Sequence, residues 1–240
     1  MDVICNERKL YAFGGCHVIG HNVGDENSFV SIVSASMRTD KVYARGNLNA
    51  RNFLKSLDRH ETDFSDSILI LQFGHYETTG KSLIPFYGKK TDDSSYSYFE
   101  SSFDSVNVLG YSEPKIGLNY NIREYLKILF FFIRELFRCP VFDSISFEGN
   151  IVRILSALKK SSAFIVVVST FPTRSFVHNI YRKRAGVILK RLAQSFNCRY
   201  IDVYGEIDKR MREEKVFCDN GHLNQIGHKI VAERIIAGIS

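Results

Sequence analysis

The sequence has no uninterrupted run of about 18 uncharged apolar residues, the minimum for a membrane-spanning helix. Met1 to Arg8 carries Asp2 and Glu7 and lacks the apolar core of a secretory leader, so a cytoplasmic address is expected. Cysteine is scarce and unpaired in pattern. Cys5, Cys16, Cys139, Cys198 and Cys218 are odd in number, scattered and without a C-x-x-C pair, which argues against a zinc site and a disulfide framework. There is no internal repeat and no low-complexity linker, and the expectation is a single domain over residues 1–240. What is present is ordinary globular material: 240 residues, 45% hydrophobic and 24% charged, enough to bury a full core without staples.

Acidic residues are also missing locally. The net charge is +6, and between Arg174 and Arg191 stand Arg182, Lys183, Arg184 and Lys190 with no carboxylate among them. Such a stretch attracts phosphate, an anionic glycan or an anionic membrane surface, or it is simply a solvated helix face, the reading preferred here. No nucleic-acid motif accompanies it, so nucleic acid is not an expected partner.

Short apolar runs alternate with longer amphipathic stretches, as in a three-layer α/β/α fold with a five-stranded, mainly parallel sheet of flavodoxin-like type. The expected strands are Leu10–Phe13, Lys41–Ala44, Ile68–Phe73, Phe164–Ser169 and Tyr200–Val203. The third and fourth are continuously apolar, which suits strands covered on both faces. Helices are expected over Ala50–Arg59, Ile122–Phe137, Asn150–Lys160, Val177–Phe196 and Asn224–Ala237. Residues 84–121 hold Tyr87, Tyr96, Tyr98, Tyr111 and Tyr120 without a clear period and read as a long excursion, either a lid or sugar-stacking platform or a loop packed on the body. The very apolar Tyr125–Phe137 reads as a core helix, ahead of a membrane-surface or dimer-forming one.

Chemistry collects in three places. The first strand runs into Phe13-Gly14-Gly15-Cys16-His17-Val18-Ile19-Gly20, which puts Cys16 at the carboxyl edge of the sheet, where open α/β folds place their sites. A lone cysteine is otherwise a small buried hydrophobe. At the end of the third strand, Gly74-His75-Tyr76-Glu77 brings polar side chains to the same edge. Near the C-terminus, Asp219 precedes His222 by three residues on a loop entering a helix, a spacing that lets the carboxylate hold one ring nitrogen while the other acts as base. Asn224 is the expected cap of that helix. Cys16, His17, His21 and His75 are metal-ligating residue types, but Gly20 interrupts the helical spacing of His17 and His21 and no carboxylate stands at ligand spacing, so no metal or cofactor is expected.

In order and separation these motifs resemble the SGNH/GDSL hydrolase superfamily, most closely its carbohydrate acetylesterase branch. The family's Gly-Asp-Ser-Leu block is matched by Gly14-Gly15-Cys16-His17, with Cys16 at the serine position and Gly15 at the aspartate. Its Gly-x-Asn-Asp block is matched by Gly74 to Glu77, with Tyr76 in place of asparagine and Glu77 in place of aspartate. Asp219 to His222 matches the last block without departure. The segment Arg45 to Phe53 looks like the block whose backbone serves the oxyanion, with Gly46 and Asn47 at its turn.

The resemblance implies an acyl-ester hydrolase using Cys16 as nucleophile, His222 as base and Asp219 as its orienter, with an acyl-thioester intermediate. Gly15, Gly46, Asn47, Gly74, His75, Tyr76 and Glu77 then line the oxyanion and substrate region. A thiolate is a strong nucleophile, so the exchange of serine for cysteine preserves the chemistry in principle. Loss of the family's asparagine removes one oxyanion donor, worth about 3–4 kcal/mol in comparable hydrolases, which Tyr76 or His75 must supply. The implied substrate is an acylated small molecule or saccharide. The alternatives are O-acyl transfer to a saccharide on the same triad, and an inactive relative that binds a glycan or a partner.

Overall fold

The computed structural model describes residues 9–58, 63–79, 142–174, 176–213, 215–219 and 221–239, together with residues 126, 129 and 133. The expected excursion at 84–121 lies outside the described residues. So does the helix at 122–137, save for Leu126, Leu129 and Ile133, which are helical and exposed.

Five strands, β1 (Lys9–Gly14), β2 (Lys41–Arg45), β3 (Ser67–Gln72), β4 (Phe164–Val168) and β5 (Arg199–Ile201), form a fully parallel sheet in the order β2-β1-β3-β4-β5. In register, Leu10 lies between Val42 and Ile68, and Gly14 reaches Gln72. This is a doubly wound order: connections leave β1 and β3 toward opposite faces, opening a crevice beyond their carboxyl ends.

Side-chain alternation assigns the two cores. Tyr11, Leu69, Leu71 and Val167 point to one face, where they meet Phe53, Leu54, Phe147, Ile151, Leu155, Tyr181 and Leu189. Leu10, Ala12, Ile70, Val166 and Val168 point to the other, against Phe29, Val33, Ile207, Val231 and Ile235. Each fully buried Leu, Ile or Phe contributes about 1.5–3 kcal/mol relative to exposure, and β1, β3 and β4 gain this on both faces.

The first face is covered by α2 (Ala50–Leu57), α4 (Ser144–Leu158) and α5 (Phe176–Ser195), and the second by α1 (Phe29–Met37), α6 (Tyr204–Glu213) and α7 (Gln225–Ile239); a short α3 (His75–Thr79) follows β3. Polar caps set several starts: the Ser28, Asn49 and Asp143 side chains accept from the backbone N–H three residues on. Asn224 caps α7 as expected, its Oδ1 accepting from Gly227 N at 3.1 Å.

All five expected strands are present. The helix expected from Asn150 begins six residues earlier, at Ser144, because Asp143 caps it and Gly149 is absorbed into its interior. Helices α1, α3 and α6 were not anticipated.

Candidate active site

Gly15 leads from β1 into a single 3₁₀ turn, Cys16–Ile19, closed by Gly20 in the left-handed region at φ 64°. The turn leaves the half-buried Cys16 at the crevice above β1. Its carbonyl accepts from His21 N at 3.3 Å, which folds the following segment back over the site.

The loop between α6 and α7 is pinned by an antiparallel bridge of Phe217 with Leu223 and by Cys218 N donating to His222 O at 3.0 Å. Within it, Asp219 Oδ1 accepts from Gly221 N and His222 N, both at 2.7 Å, and Oδ2 meets His222 Nδ1 at 2.6 Å. The Cys16 side chain lies close enough to the imidazole to favour its charged form. The three residues expected to form the catalytic set are thus brought together, although Cys16 and Asp219 are 203 positions apart in the sequence.

The electrostatics follow from these contacts. The hydrogen bond to Asp219, and then the Cys16 side chain, outweigh burial and push His222 up to about 10. Burial works against the Asp219 carboxylate, but the bonds from His222 and from two backbone N–H groups hold it well below the usual carboxylate range. At neutral pH the site therefore holds an imidazolium paired with a carboxylate, with the Cys16 side chain beside it.

Of two nearby residues, Asn22 has no signal in the sequence and His21 has one only as a metal ligand, a role not expected of it. Asn22, left-handed at φ 69°, donates from Nδ2 to Asp219 Oδ2 at 3.4 Å and toward Cys218 Sγ at 3.6 Å. The exposed His21 ring lies 4.6 Å from that of His222. Only the fold brings them to the last loop.

Beneath the triad lies a packed layer of aromatic rings. His17 is buried, with its centroid 5.0–5.9 Å from those of Phe171, His75, His222 and His228. Burial pushes His17 well below the ordinary histidine value, and the neighbouring histidines and Arg182 push the same way, leaving it neutral. The Gly221 backbone acts on the ring in the opposite sense, which places this layer next to the loop that carries Asp219 and His222. His228 Nδ1 accepts from Phe29 N at 3.1 Å, and burial pushes this ring down to about 4. Among the described residues, His17 Nδ1, His228 Nε2, Arg182 Nε and Tyr204 Oη are buried without a hydrogen-bond partner.

The residues expected around the oxyanion separate into two groups. Gly15, Gly46, Asn47 and Tyr76 come together. A Cβ on Gly46 would lie 2.7 Å from Ile19 Cγ1 and 3.1 Å from Gly15 O, so only glycine allows this approach. The Tyr76 hydroxyl donates to Asn47 Oδ1 at 2.6 Å.

His75 and Glu77 instead serve the scaffold. His75 is buried; its Nε2 accepts from Phe171 N at 3.0 Å and its Nδ1 meets the Gln72 side-chain amide. Glu77 Oε1 accepts from Ala50 N at 2.6 Å and Oε2 from Gly74 N at 2.9 Å, joining the start of α2 to the end of β3. Burial raises the Glu77 carboxyl, and these backbone donors partly offset it. Gly74 is left-handed at φ 97°, and a Cβ there would lie 2.7 Å from Thr170 Cγ2.

The basic stretch from Arg174 to Arg191 is not a continuous solvated face. Arg182 is buried and donates to Phe171 O at 2.8 Å; burial pushes it down to about 10, still charged at neutral pH. Arg191 pairs with Glu148 at 2.5 Å, while Lys183 and Arg184 lie over the rings of Tyr204 and Tyr181. Among the described residues no three His, Cys, Asp or Glu side chains converge as a metal site, and no helix is long and apolar enough to cross a membrane.

The doubly wound sheet, with Cys16 after β1 and Asp219-x-x-His222 before the last helix, has the fold of the GDSL-type lipolytic proteins. It is similar to a member of the lipolytic protein G-D-S-L family from Veillonella parvula, with a TM-score of 0.63 and 12% identity over 96% of this chain and 97% of that one. An acetylxylan esterase from Geobacillus stearothermophilus gives a TM-score of 0.60 and 13% identity over 97% and 94% of the two chains. An α/β hydrolase enzyme from the metagenome of Lake Arreo gives 0.60 and 13% over 96% and 94%. No protein-family model matches the chain, and no curated protein matches it in sequence.

Proposed function

We propose that the protein is an acyl-ester hydrolase that removes an O-acyl group from a saccharide through a Cys16-His222-Asp219 triad. The observation that carries this reading is the His222 ring, held by Asp219 at 2.6 Å and placed beside the Cys16 side chain. The saccharide is suggested by the similarity in fold to an acetylxylan esterase.

The Cys16 thiolate attacks the acyl carbonyl carbon, and the carbonyl π pair moves onto oxygen to give a tetrahedral oxyanion. As this collapses, the carbon–oxygen bond of the ester breaks and the departing sugar oxygen takes the proton from the His222 imidazolium. Cys16 is left as an acyl-thioester. Neutral His222 then removes a proton from water as its oxygen attacks the thioester carbonyl. The second collapse releases the carboxylic acid and restores the thiolate and imidazolium. Asp219 keeps the proton-bearing Nδ1 directed at itself throughout, so Nε2 faces the sulfur and the reacting oxygen.

A thioester also accepts attack by a sugar hydroxyl, so the same steps support acyl transfer when an acceptor replaces water. The test is acetate release from O-acetylated xylo-oligosaccharides, with the products analysed with and without a second saccharide. Release that disappears in Cys16→Ala and in His222→Ala is expected. Acylation of the added saccharide would redirect the reading to transfer, and no turnover of any O-acyl saccharide or activated ester by the folded protein would remove it in favour of binding alone.

A further inference from the structure

The asparagine that the GDSL pattern uses as an oxyanion donor is missing, and Tyr76 stands in its position. We propose that the Asn47 side-chain amide supplies this donor from a different loop, and that Tyr76 is the positioning residue that aims it. The inference rests on the acyl chemistry proposed above and names the group that makes it workable.

The Tyr76 hydroxyl donates to Asn47 Oδ1 at 2.6 Å. That bond fixes which end of the planar carboxamide faces the tyrosine and turns the NH₂ group the other way. Asn47 is exposed on the open side of the sheet, and its Nδ2 has no hydrogen-bond partner among the described residues. A donor held at one end and unoccupied at the other is available to an incoming carbonyl oxygen. The hydroxyl also polarises the amide and makes its N–H groups better donors.

The pair stands over the nucleophile's own backbone. The Tyr76 ring carbon Cε2 is 3.8 Å from where a Cβ of Gly15 would sit, and Gly46, adjacent to Asn47, packs on Ile19 and on the Gly15 carbonyl. Tyr76 and Gly46, the neighbour of Asn47, thus both pack on Gly15, the residue before Cys16.

The backbone at Asn47 points the same way. Its φ is 56°, in the left-handed region where glycine is at ease and other residues bear a cost of about 1 kcal/mol or more. A turn next to Gly46 with no need of a side chain is better served by glycine. Asparagine tolerates the conformation and brings an amide with it. The other polar side chains of the Gly74–Glu77 block expected to serve here are engaged elsewhere: both His75 nitrogens have partners, and the Glu77 carboxylate accepts from two backbone N–H groups.

The test uses the full chain and an activated acetyl ester, with its thionoester analogue as a second probe. Asn47→Gly keeps the backbone conformation and deletes the donor, and Asn47→Asp keeps the shape and replaces the donor with an acceptor. Both should lose about 10²–10³-fold in kcat with KM within about threefold, while the melting temperature of Asn47→Gly stays level or rises. Tyr76→Phe, which frees the amide to rotate, should lose about tenfold in kcat. Because sulfur is a poor hydrogen-bond acceptor, wild type should discriminate against the thionoester and Asn47→Gly should lose most of that preference, a change that a structural role for Asn47 does not produce. Asn47→Gly with kcat within threefold of wild type and unchanged thionoester discrimination overturns the inference while the triad stands. Failure of wild type itself to acylate on Cys16 overturns the reading on which it rests.

Discussion

Replacing Asp219 with asparagine isolates the electrostatic core of the site. The substituted side chain keeps an oxygen that can still accept from Gly221 N and His222 N, so the loop should hold its shape. At the other terminus an NH₂ group now faces His222 Nδ1 and the Asn22 amide, both donors in the native site. Once neutral, His222 then keeps its proton on Nε2, the wrong tautomer for a base toward Cys16. Asp219 is the largest cause of the rise of His222 to about 10, and a hydrogen bond to a charged group is worth about 1.5–3 kcal/mol, so the ring's titration should fall by at least about one pH unit in Asp219→Asn. Because the folded His222 value is raised and that of Asp219 lowered, the pair's stabilisation is complete between about pH 4 and pH 6.5, fades as pH climbs through about 10, and is lost as acid protonates the carboxylate. The melting-temperature gap between wild type and Asp219→Asn should thus be widest near pH 6 and narrow above pH 10. The direct assay is an NMR titration of the His222 ring in both proteins. A displacement smaller than half a pH unit would refute the claim that Asp219 holds the imidazolium.

Three further outcomes are expected. Glu77→Gln exchanges one of two acceptors for a donor facing the Gly74 or Ala50 N–H, and should cost about 1–3 kcal/mol in urea unfolding while leaving KM unchanged; an unaltered unfolding midpoint would count against the staple. Arg182→Met deprives Phe171 O of its buried donor and should cost about 1–3 kcal/mol, read by the same measurement; a gain in stability would show that desolvation of the charge dominates. Iodoacetamide at neutral pH should label Cys16 well before Cys198 and Cys218, whose thiols burial pushes up; equal rates, followed by peptide mass mapping, would contradict the proposed activation of Cys16 by His222.

The strands were legible because β1, β3 and β4 are covered on both sides and so read as apolar runs. Helices were harder where composition misleads. In α1, Phe-Val-Ser-Ile-Val-Ser-Ala-Ser-Met is uncharged and partly β-branched, and it becomes helical because the Ser28 cap and the packing of Phe29, Val30 and Val33 outweigh propensity. In α6 the single buried side chain among the residues whose burial is described, Ile207, is too little for a visible period. The Asp219–His222 contact was legible because both partners lie on one short loop. His75 and Glu77 were assigned to the substrate region because sequence places a residue at the sheet edge without saying which way it turns, and here both turn inward to backbone groups. Asn22 and Arg182 escaped for the complementary reason: their partners, or the burial that defines them, arise only when distant segments meet.

The central claim is that Cys16 carries the acyl group, and intact-mass spectrometry of the protein mixed with an activated acetyl ester tests it most directly. The account predicts one added acetyl group in wild type at short times, mapped to Cys16, absent in Cys16→Ala and persisting in His222→Ala, where water is no longer activated. An adduct of equal yield in Cys16→Ala, or none in a folded wild-type protein that nevertheless hydrolyses the ester, would contradict it.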